Sequence, residues 1–471
     1  MKTRAGVGFF TVAAAFLSAG ARNSIGMVAA GHQANTDGLG PQLRRHSHGL
    51  VDGSRRLQSG PSLVFQINPS GSSNVRELIV FNDKLYFSAT DGSSNEKLWQ
   101  YDGAGNPSPV AGSIAAGPVD LVVFQNKLHF FANDAVGIRF WKYDGTNAPN
   151  IVATPSSFVG EQKYPVYNNN LILAIGNALW QYDGTNAPTE IAGSSAGNHI
   201  AVFNNKLYFP RYDGTLRREL HMYDGSSVSV AFDINLNGDA GPVNLIVFNG
   251  KLFFEANDGT GIALWEYNGI NPPSKVAGFP SSGVTNFYGG GWIVFKNKLT
   301  MWGGTSNSQL WQYNDLSPPS QVSFAGSYPQ YFTVYNDKLY FQARDATGDY
   351  ELWVYDGVNT PTIVADINTS GSSFPGWTAV FNSKLYFAAN IGSPTTSLPE
   401  LMVYSTTTPA PTPAPTPAPA PAPVPAPTPG STPNPAPTPV PTTTPTGCSY
   451  TDVVRGWASD IAFSVRHLIF G

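Results

Sequence analysis

One short pattern returns eight times between residues 63 and 405, and a chain built this way has few folds open to it. The first copy reads Val80-Phe81-Asn82-Asp83-Lys84-Leu85-Tyr86-Phe87, and its leucine recurs at 128, 171, 207, 252, 299, 339 and 385. The copy running from Val166 to Leu173 is degenerate. A second pattern follows each first one. It begins as Leu98-Trp99-Gln100-Tyr101-Asp102-Gly103 and closes the later units at Gly145, Gly184, Gly225, Gly269, Asp315, Gly357 and Ser405. The leucine spacing is 36 to 47 residues, a period that belongs to propeller blades or solenoid turns.

Local chemistry selects strands over helices. The units are rich in Val, Phe, Tyr and Trp, and Asn-Asp, Asn-Gly and Asp-Gly pairs punctuate them as hairpin turns do. Each unit parses into four strands; in the first these are Leu78–Phe81 (a), Lys84–Ala89 (b), Lys97–Tyr101 (c) and Pro109–Ala111 (d). Strands a and b are almost continuously apolar, as sheets covered on both faces are. The eighth unit stops at Tyr404-Ser405 without a fourth strand, while Leu63–Asn68 stands unused before the first. An orphan strand at one end and a missing one at the other predict a ring closed by the N-terminal strand, which leaves no open sheet edge. The expected fold is all-β, an eight-bladed β-propeller of four-stranded blades.

The second pattern carries a resemblance. Glu351-Leu352-Trp353-Val354-Tyr355-Asp356-Gly357 is similar to the signature of the secreted ELWxxDGT-repeat proteins, and Leu179–Thr185 and Phe140–Thr146 match most of it. The likeness covers residues 63–405. It implies an extracellular propeller-like module and no particular activity. His221 in unit four, Met402 in unit eight and Asn314-Asp315 in unit six depart from the signature.

The flanks read differently. Residues 1–21 have the form of a secretory signal peptide: basic Lys2 and Arg4, an apolar Val7–Leu17, and small residues for cleavage after Ala21. Residues 22–62 form a polar segment expected to be disordered, with Arg44-Arg45 and Arg55-Arg56 as candidate processing sites. Residues 406–447 are an almost pure Pro/Ala/Thr tract. Such a tract favours extended polyproline II, and at about 3.1 Å per residue it makes a disordered stalk of about 120 Å. Residues 448–471 place Val454, Trp457, Ile461, Val465 and Leu468 at helical spacing, a short amphipathic tail. Cys448 is the only cysteine, which excludes a disulfide framework and leaves an inter-chain disulfide as its candidate role.

Charge narrows the partners. Residues 63–405 hold 18 basic and 27 acidic side chains, a balance that gives nucleic acid no electrostatic foothold. No segment reaches the roughly 20 apolar residues of a transmembrane helix. An extracellular glycan or protein is the expected partner, taken up by the variable b–c and d–a loops at one end of the ring.

Candidate chemistry is sparse, and no catalytic, cofactor or metal residue is assigned. His129 and His221 replace Tyr and Trp of sibling units and read as packing substitutions. Glu255, Arg211 and Arg344 break the repeat near the end of strand b. A glycan-active enzyme would pair two carboxylates across its substrate, and the sequence places no partner for Glu255. Asp233-Ile234-Asn235-Leu236-Asn237-Gly238-Asp239 begins as a calcium loop does, but its twelfth position is Asn244 rather than a bidentate glutamate. The same slot reads Asp366–Gly371 and Gln66–Gly71 elsewhere, so an inter-blade connection is expected. Asn368-Thr369-Ser370 is the only N-glycosylation sequon.

Overall fold

Eight four-stranded antiparallel sheets form a ring. The computed structural model describes residues 60–406 apart from 94, 113–115, 156–163, 192, 194–198, 213–216, 280–290, 305–307 and 393–398. The expected signal peptide, the other residues up to 59, the expected stalk beyond Thr406 and the expected tail with Cys448 lie outside the described residues. In the first seven blades the strands follow the chain, a to d from the axis outward. The inner a strands are Arg76–Phe81, Ala116–Phe124, Val166–Tyr167, Ala201–Phe203, Val243–Phe248, Trp292–Phe295, Ser327–Tyr335 and Gly376–Phe381. In blade one, strand a starts two residues earlier than the sequence pattern predicts, and strand d is only Ser108–Pro109.

No blade has a core of its own. The buried apolar side chains fall into eight clusters, and each lies between two neighbouring blades. Tyr86 and Leu98 of blade one meet Leu128 and Trp141 of blade two, for example. Leu385 and Met402 of blade eight meet Tyr340 and Leu352 of blade seven. This arrangement explains the continuous apolar character of strands a and b, since both sheet faces are covered.

The repeated motif residues each satisfy one local demand. At every a–b turn both central residues adopt positive φ, as in Asn82 (44°) and Asp83 (53°), which suits Asn, Asp and Gly. In the Asp-Gly turn of blade two, Asp144 Oδ1 accepts the N–H groups of Thr146 and Asn147 at 2.8 Å each. Gly145 there has φ 92°, and a Cβ would lie 2.8 Å from the Asn82 side chain of blade one. In unit six Asp315 replaces the glycine at φ 65° and binds Lys251 Nζ of blade five at 2.7 Å. The motif tryptophan reaches back to strand b: Trp353 Nε1 donates to the Ala343 carbonyl at 3.0 Å. The motif glutamate is buried and clasps the loop that enters the next blade. Glu351 accepts from Ile367 N (3.1 Å) and Ser373 Oγ (2.7 Å), and Glu219 accepts from Ile234 N (2.9 Å). Burial raises the Glu219 carboxyl to about 7.

The departures are packing solutions. His129 is fully buried and stacks on Phe140 at 5.7 Å, and burial lowers its pKa to about 4, so it is a neutral core residue. His221 stacks on Phe209. The calcium-like loop is an inter-blade connection whose oxygens serve the protein. Asp239 binds Arg218 Nε at 3.1 Å, and Asn235 Oδ1 accepts from Asn237 N. Asn368 holds its own loop in the same way, its amide donating to Ser372 O at 3.2 Å. Among the described residues no group of three His, Cys, Asp or Glu is arranged to hold a metal, and no helix is long and apolar enough to cross a membrane.

Ring closure follows the expected route with a shorter strand. Ser62–Leu63 pairs with Glu400–Tyr404 as the fourth strand of blade eight, and Val64 N donates to Leu401 O at 2.9 Å. Leu63–Asn68 was too long an expectation because Asn68 must turn the chain into blade one, where its amide donates to Ser72 O. The joint is then riveted across 327 residues by Ser73 N donating to Glu400 Oε1 at 2.8 Å. Ile67 and Val75 are buried in the cluster shared by blades eight and one. A chain beginning at Ser72 loses the Leu63 and Ile67 contacts and the strand hydrogen bonds, and should be less stable by about 4 kcal/mol. A chain beginning at Gly60 should melt with the full-length protein. Equal melting temperatures for both truncations would falsify this closure.

Candidate functional site

The frame repeats, but one position on the inner wall does not. Three residues before the strand-a valine, the chain carries Glu77, Asp120, His199, Asn244, Gly291, Tyr331 and Trp377 in seven blades. The equivalent Lys163 of blade three lies outside the described residues. In blades one, two, five, seven and eight this residue opens a β-bulge. Strand a spends two residues opposite one of strand b, as between Arg76↔Ser88 and Ile79↔Tyr86. A bulge re-aims its side chain, and bulges gather beside binding and catalytic sites.

The backbone there is strained. Glu77 (φ 62°), Asp120 (56°), His199 (73°), Asn244 (58°), Tyr331 (54°) and Trp377 (49°) all sit in the left-handed region. Asn tolerates this conformation, but Tyr and Trp do not, and a Cβ costs roughly 1 kcal/mol there relative to glycine. All six lie at the loop end of the inner strands. Asp120 is buried and the other five are half-buried. At the turn end of the same strands the valines are exposed, Val80 and Val380 for instance by 37% and 42%.

Each bulge side chain reaches toward the next blade, which divides the wall into sectors. In blades one to three, Tyr164 Oη donates to Asp120 Oδ2 at 2.6 Å, and Leu121 N donates to Glu77 Oε2 at 3.4 Å. Burial, reinforced by the Asp120 charge, pushes the Glu77 carboxyl up to about 7. Burial and then the Asp120 charge push the Tyr164 phenol far up. Arg76 beside Glu77 is held by Glu96.

In blades four to six, Asn244 N donates to His199 Nδ1 at 3.2 Å, so His199 is neutral with its proton on Nε2. Burial lowers its pKa to about 4, with a smaller push from Arg218. Asn244 Nδ2 donates to Glu255 Oε2 at 2.8 Å. The Asn244 amide is thus one partner of Glu255 that the sequence could not place. In blades seven and eight the wall is aromatic: the Tyr331 and Trp377 rings are 6.3 Å apart, and Tyr331 also covers the backbone of Gly376.

Of the outliers near the end of strand b, Glu255 belongs to this wall. Arg344 lies over the Tyr328 and Tyr350 rings, and Arg211 comes within 4.0 Å of the Cβ position of Gly193. Strand-b outliers led to one wall residue in the sequence. Lining up the eight units on their strand-a valines, and reading the column three residues earlier, would have found the rest.

The repeats, the closed ring and the inward bulges define an eight-bladed β-propeller with one irregular inner wall. No family model and no curated protein matches the sequence. Solved structures similar in part include the computationally designed protein Ika8, at 13% identity and a TM-score of 0.45, covering 71% of this chain and 98% of that one. BamB from Moraxella catarrhalis follows at 12% and 0.44, covering 74% and 98%. A puromycin-hydrolysing peptidase of Mycobacterium tuberculosis gives 8% and 0.46, covering 70% of this chain and 61% of the peptidase. This chain therefore spans less than two-thirds of the peptidase's length. Likenesses of this degree carry no argument about activity, and the propeller is read from the blades themselves.

The raised Glu77 carboxyl makes a signed prediction. Its folded pKa lies above its unfolded value near 4.5, so its contribution to stability is whole below about 4.5 and lost as pH rises through about 7. His129 and His199 act in the opposite sense as pH falls from about 6.5 toward 4, so the whole-protein trend is mixed. The single-site difference is not. Glu77→Gln mimics the protonated acid and should gain on the wild type by about 1 kcal/mol between roughly pH 5 and pH 8. Melting curves at both pH values measure this. A constant offset between variant and wild type would show that Glu77 is not desolvated beside Asp120.

Proposed function

We propose that the protein is a secreted, non-catalytic binding module that holds an extracellular glycan against the loop end of its inner wall. The observation that carries this reading is the strained bulge. Glycine would suit the backbone best at that position, yet the chain places Glu, Asp, His, Asn, Tyr and Trp there, each once, inside a frame that otherwise repeats. Strain kept at one ring position, with a different side chain in each blade, favours function over packing. The chemistry suits a sugar. Flat, half-buried aromatic faces complement the C–H face of a pyranose, and carboxylates and amides complement its hydroxyls. Export of the chain by its N-terminal signal, its display on the proline-rich stalk and its inclusion among the ELWxxDGT-repeat proteins are parts of the same proposal, supported by residues 1–21, 406–447 and the repeated motif.

The test separates function from stability. Trp377→Gly and Tyr331→Gly relieve the backbone while removing the aromatic faces. Trp377 also packs on the core shared by blades eight and one, so both variants should melt lower than wild type. At a temperature where their melting curves show them folded, glycan binding should be weaker by about tenfold or more. The wild type and both variants would be compared on a glycan array and in pull-downs from matrix extract. Unchanged glycan binding by both variants would remove the inner wall from the proposal. Capture of protein alone would replace the glycan.

One observation favours a second reading. A glutamate raised to about 7 beside an aspartate is suited to donate a proton at neutral pH, as a polysaccharide hydrolase requires. That reading predicts new reducing ends when the protein is incubated with a bound polysaccharide, and their loss in Glu77→Gln. Binding without reducing-end release is the outcome expected of the non-catalytic module.

A further inference from the structure

Arg344, like Arg211, is a strand-b outlier that the inner wall does not absorb. The same position in the other seven blades holds Thr90, Asn133, Gly176, Tyr212, Asn257, Gly304 and Asn390, none of them charged. Arg344 is exposed, and its guanidinium lies 5.0 Å from the centre of the Tyr328 ring and 4.9 Å from that of Tyr350. Tyr350 in turn packs against Phe374 in a tilted pair, at 5.2 Å and 30°. Tyr328 stands three residues before Tyr331 on its inner strand, and Phe374 three residues before Trp377, just ahead of the strand Gly376–Phe381; both again have positive φ, 55° and 46°. Half of the Phe374 surface is exposed. The group therefore lies in the same two blades as the aromatic sector of the wall, on the loop side of Tyr331 and Trp377 along the chain.

Charge is unspent at this place. Among the described residues no carboxylate forms an ion pair with Arg344. The two nearest in sequence are turned to their own loop. Asp345 accepts from the N–H groups of Thr347, Gly348 and Asp349, and Asp349 accepts from Ser372 Oγ. Two tyrosine rings against one guanidinium confine where the cation sits. A guanidinium attracted to ring faces rather than to a carboxylate can still offer its N–H fork to a ligand, and that fork matches a planar carboxylate with two parallel hydrogen bonds.

We infer that the aromatic sector of blades seven and eight binds an acidic saccharide, with Arg344 pairing the carboxylate of a hexuronic acid and Phe374 covering the sugar's apolar face. This rests on the proposal of a glycan-binding module and assigns the class of glycan.

The experiment is calorimetric titration of the full chain with hexagalacturonate, its methyl ester, a sulfated oligosaccharide and cellohexaose. The acid should bind, and its methyl ester should bind at least about tenfold more weakly, because the bidentate pair is lost. Arg344→Gln should bind acid and ester alike. Arg344→Lys, which keeps the charge but not the fork, should fall between. Both substitutions are at an exposed side chain, and an unchanged melting temperature certifies the fold. Equal binding of acid and ester by the wild type, or an unaffected Arg344→Gln, overturns the inference. Preference for the sulfated probe overturns the carboxylate assignment. Binding of cellohexaose that depends on Trp377 but not on Arg344 overturns the inference and leaves the glycan module standing, whereas binding of none of the four probes counts against both.

Discussion

Apolar burial between blades is the constraint on which everything else depends. A single blade has two hydrophobic faces and nothing within itself to cover them. Each of the eight apolar clusters is owned by two sheets, so removing one blade uncovers two clusters. An array with this property is stable only if its first and last members meet. The short strand at Ser62–Leu63 and the buried hydrogen bond from Ser73 to Glu400 matter for that reason, more than for their own small energies. The motif glutamate has the same duty at Glu219 and Glu351, where it ties the entering loop of the next blade to the blade before. Closure thus reuses a device already present inside the ring.

A frame this repetitive makes its exceptions informative. Most departures from the motif are repairs: Asp315 takes an ion pair where glycine would have sat, His129 fills an aromatic slot in neutral form, and His221 fills another. The bulge position is of another kind. Six blades share its left-handed conformation, and no two of the six share its side chain. The ring spends conformational energy at equivalent points to aim unlike groups, which gives the wall a carboxylate sector, an amide and imidazole sector and an aromatic sector. Burial then tunes them in opposite senses, raising the acid at Glu77 and holding His199 neutral.

The fold was legible because its determinants are local and repeated. The Asn-Asp and Asp-Gly turns state their φ requirements in residue type, and eight copies average out the noise of any one. The closing strand was legible as an imbalance between the two ends of the array. Its exact extent was not, because Asn68 looks like the end of a strand and acts as the first residue of a loop. The candidate site was hidden for a physical reason. Nothing in Glu77, Tyr331 or Trp377 announces positive φ, since these residue types avoid it, and a bulge is invisible until the strand it faces is known. Glu255 and Arg344 could be singled out as exceptions, but their partners Asn244, Tyr328 and Tyr350 come from other strands, at distances no sequence pattern records.

The place where the chain leaves the ring has a mechanical consequence. Thr406 follows directly on the strand Glu400–Tyr404, and its N–H reaches the Tyr335 hydroxyl of blade seven. That strand has Lys384–Ala389 bonded along one side and Ser62–Leu63 along the other. A pull applied at Thr406 therefore loads an interior strand, and peeling it away requires two rows of hydrogen bonds to part together. An open-ended array would present the same load to an edge strand, where bonds fail one after another. Closing the ring with the N-terminal strand thus turns the point of traction from the weakest place in the sheet into one of its strongest.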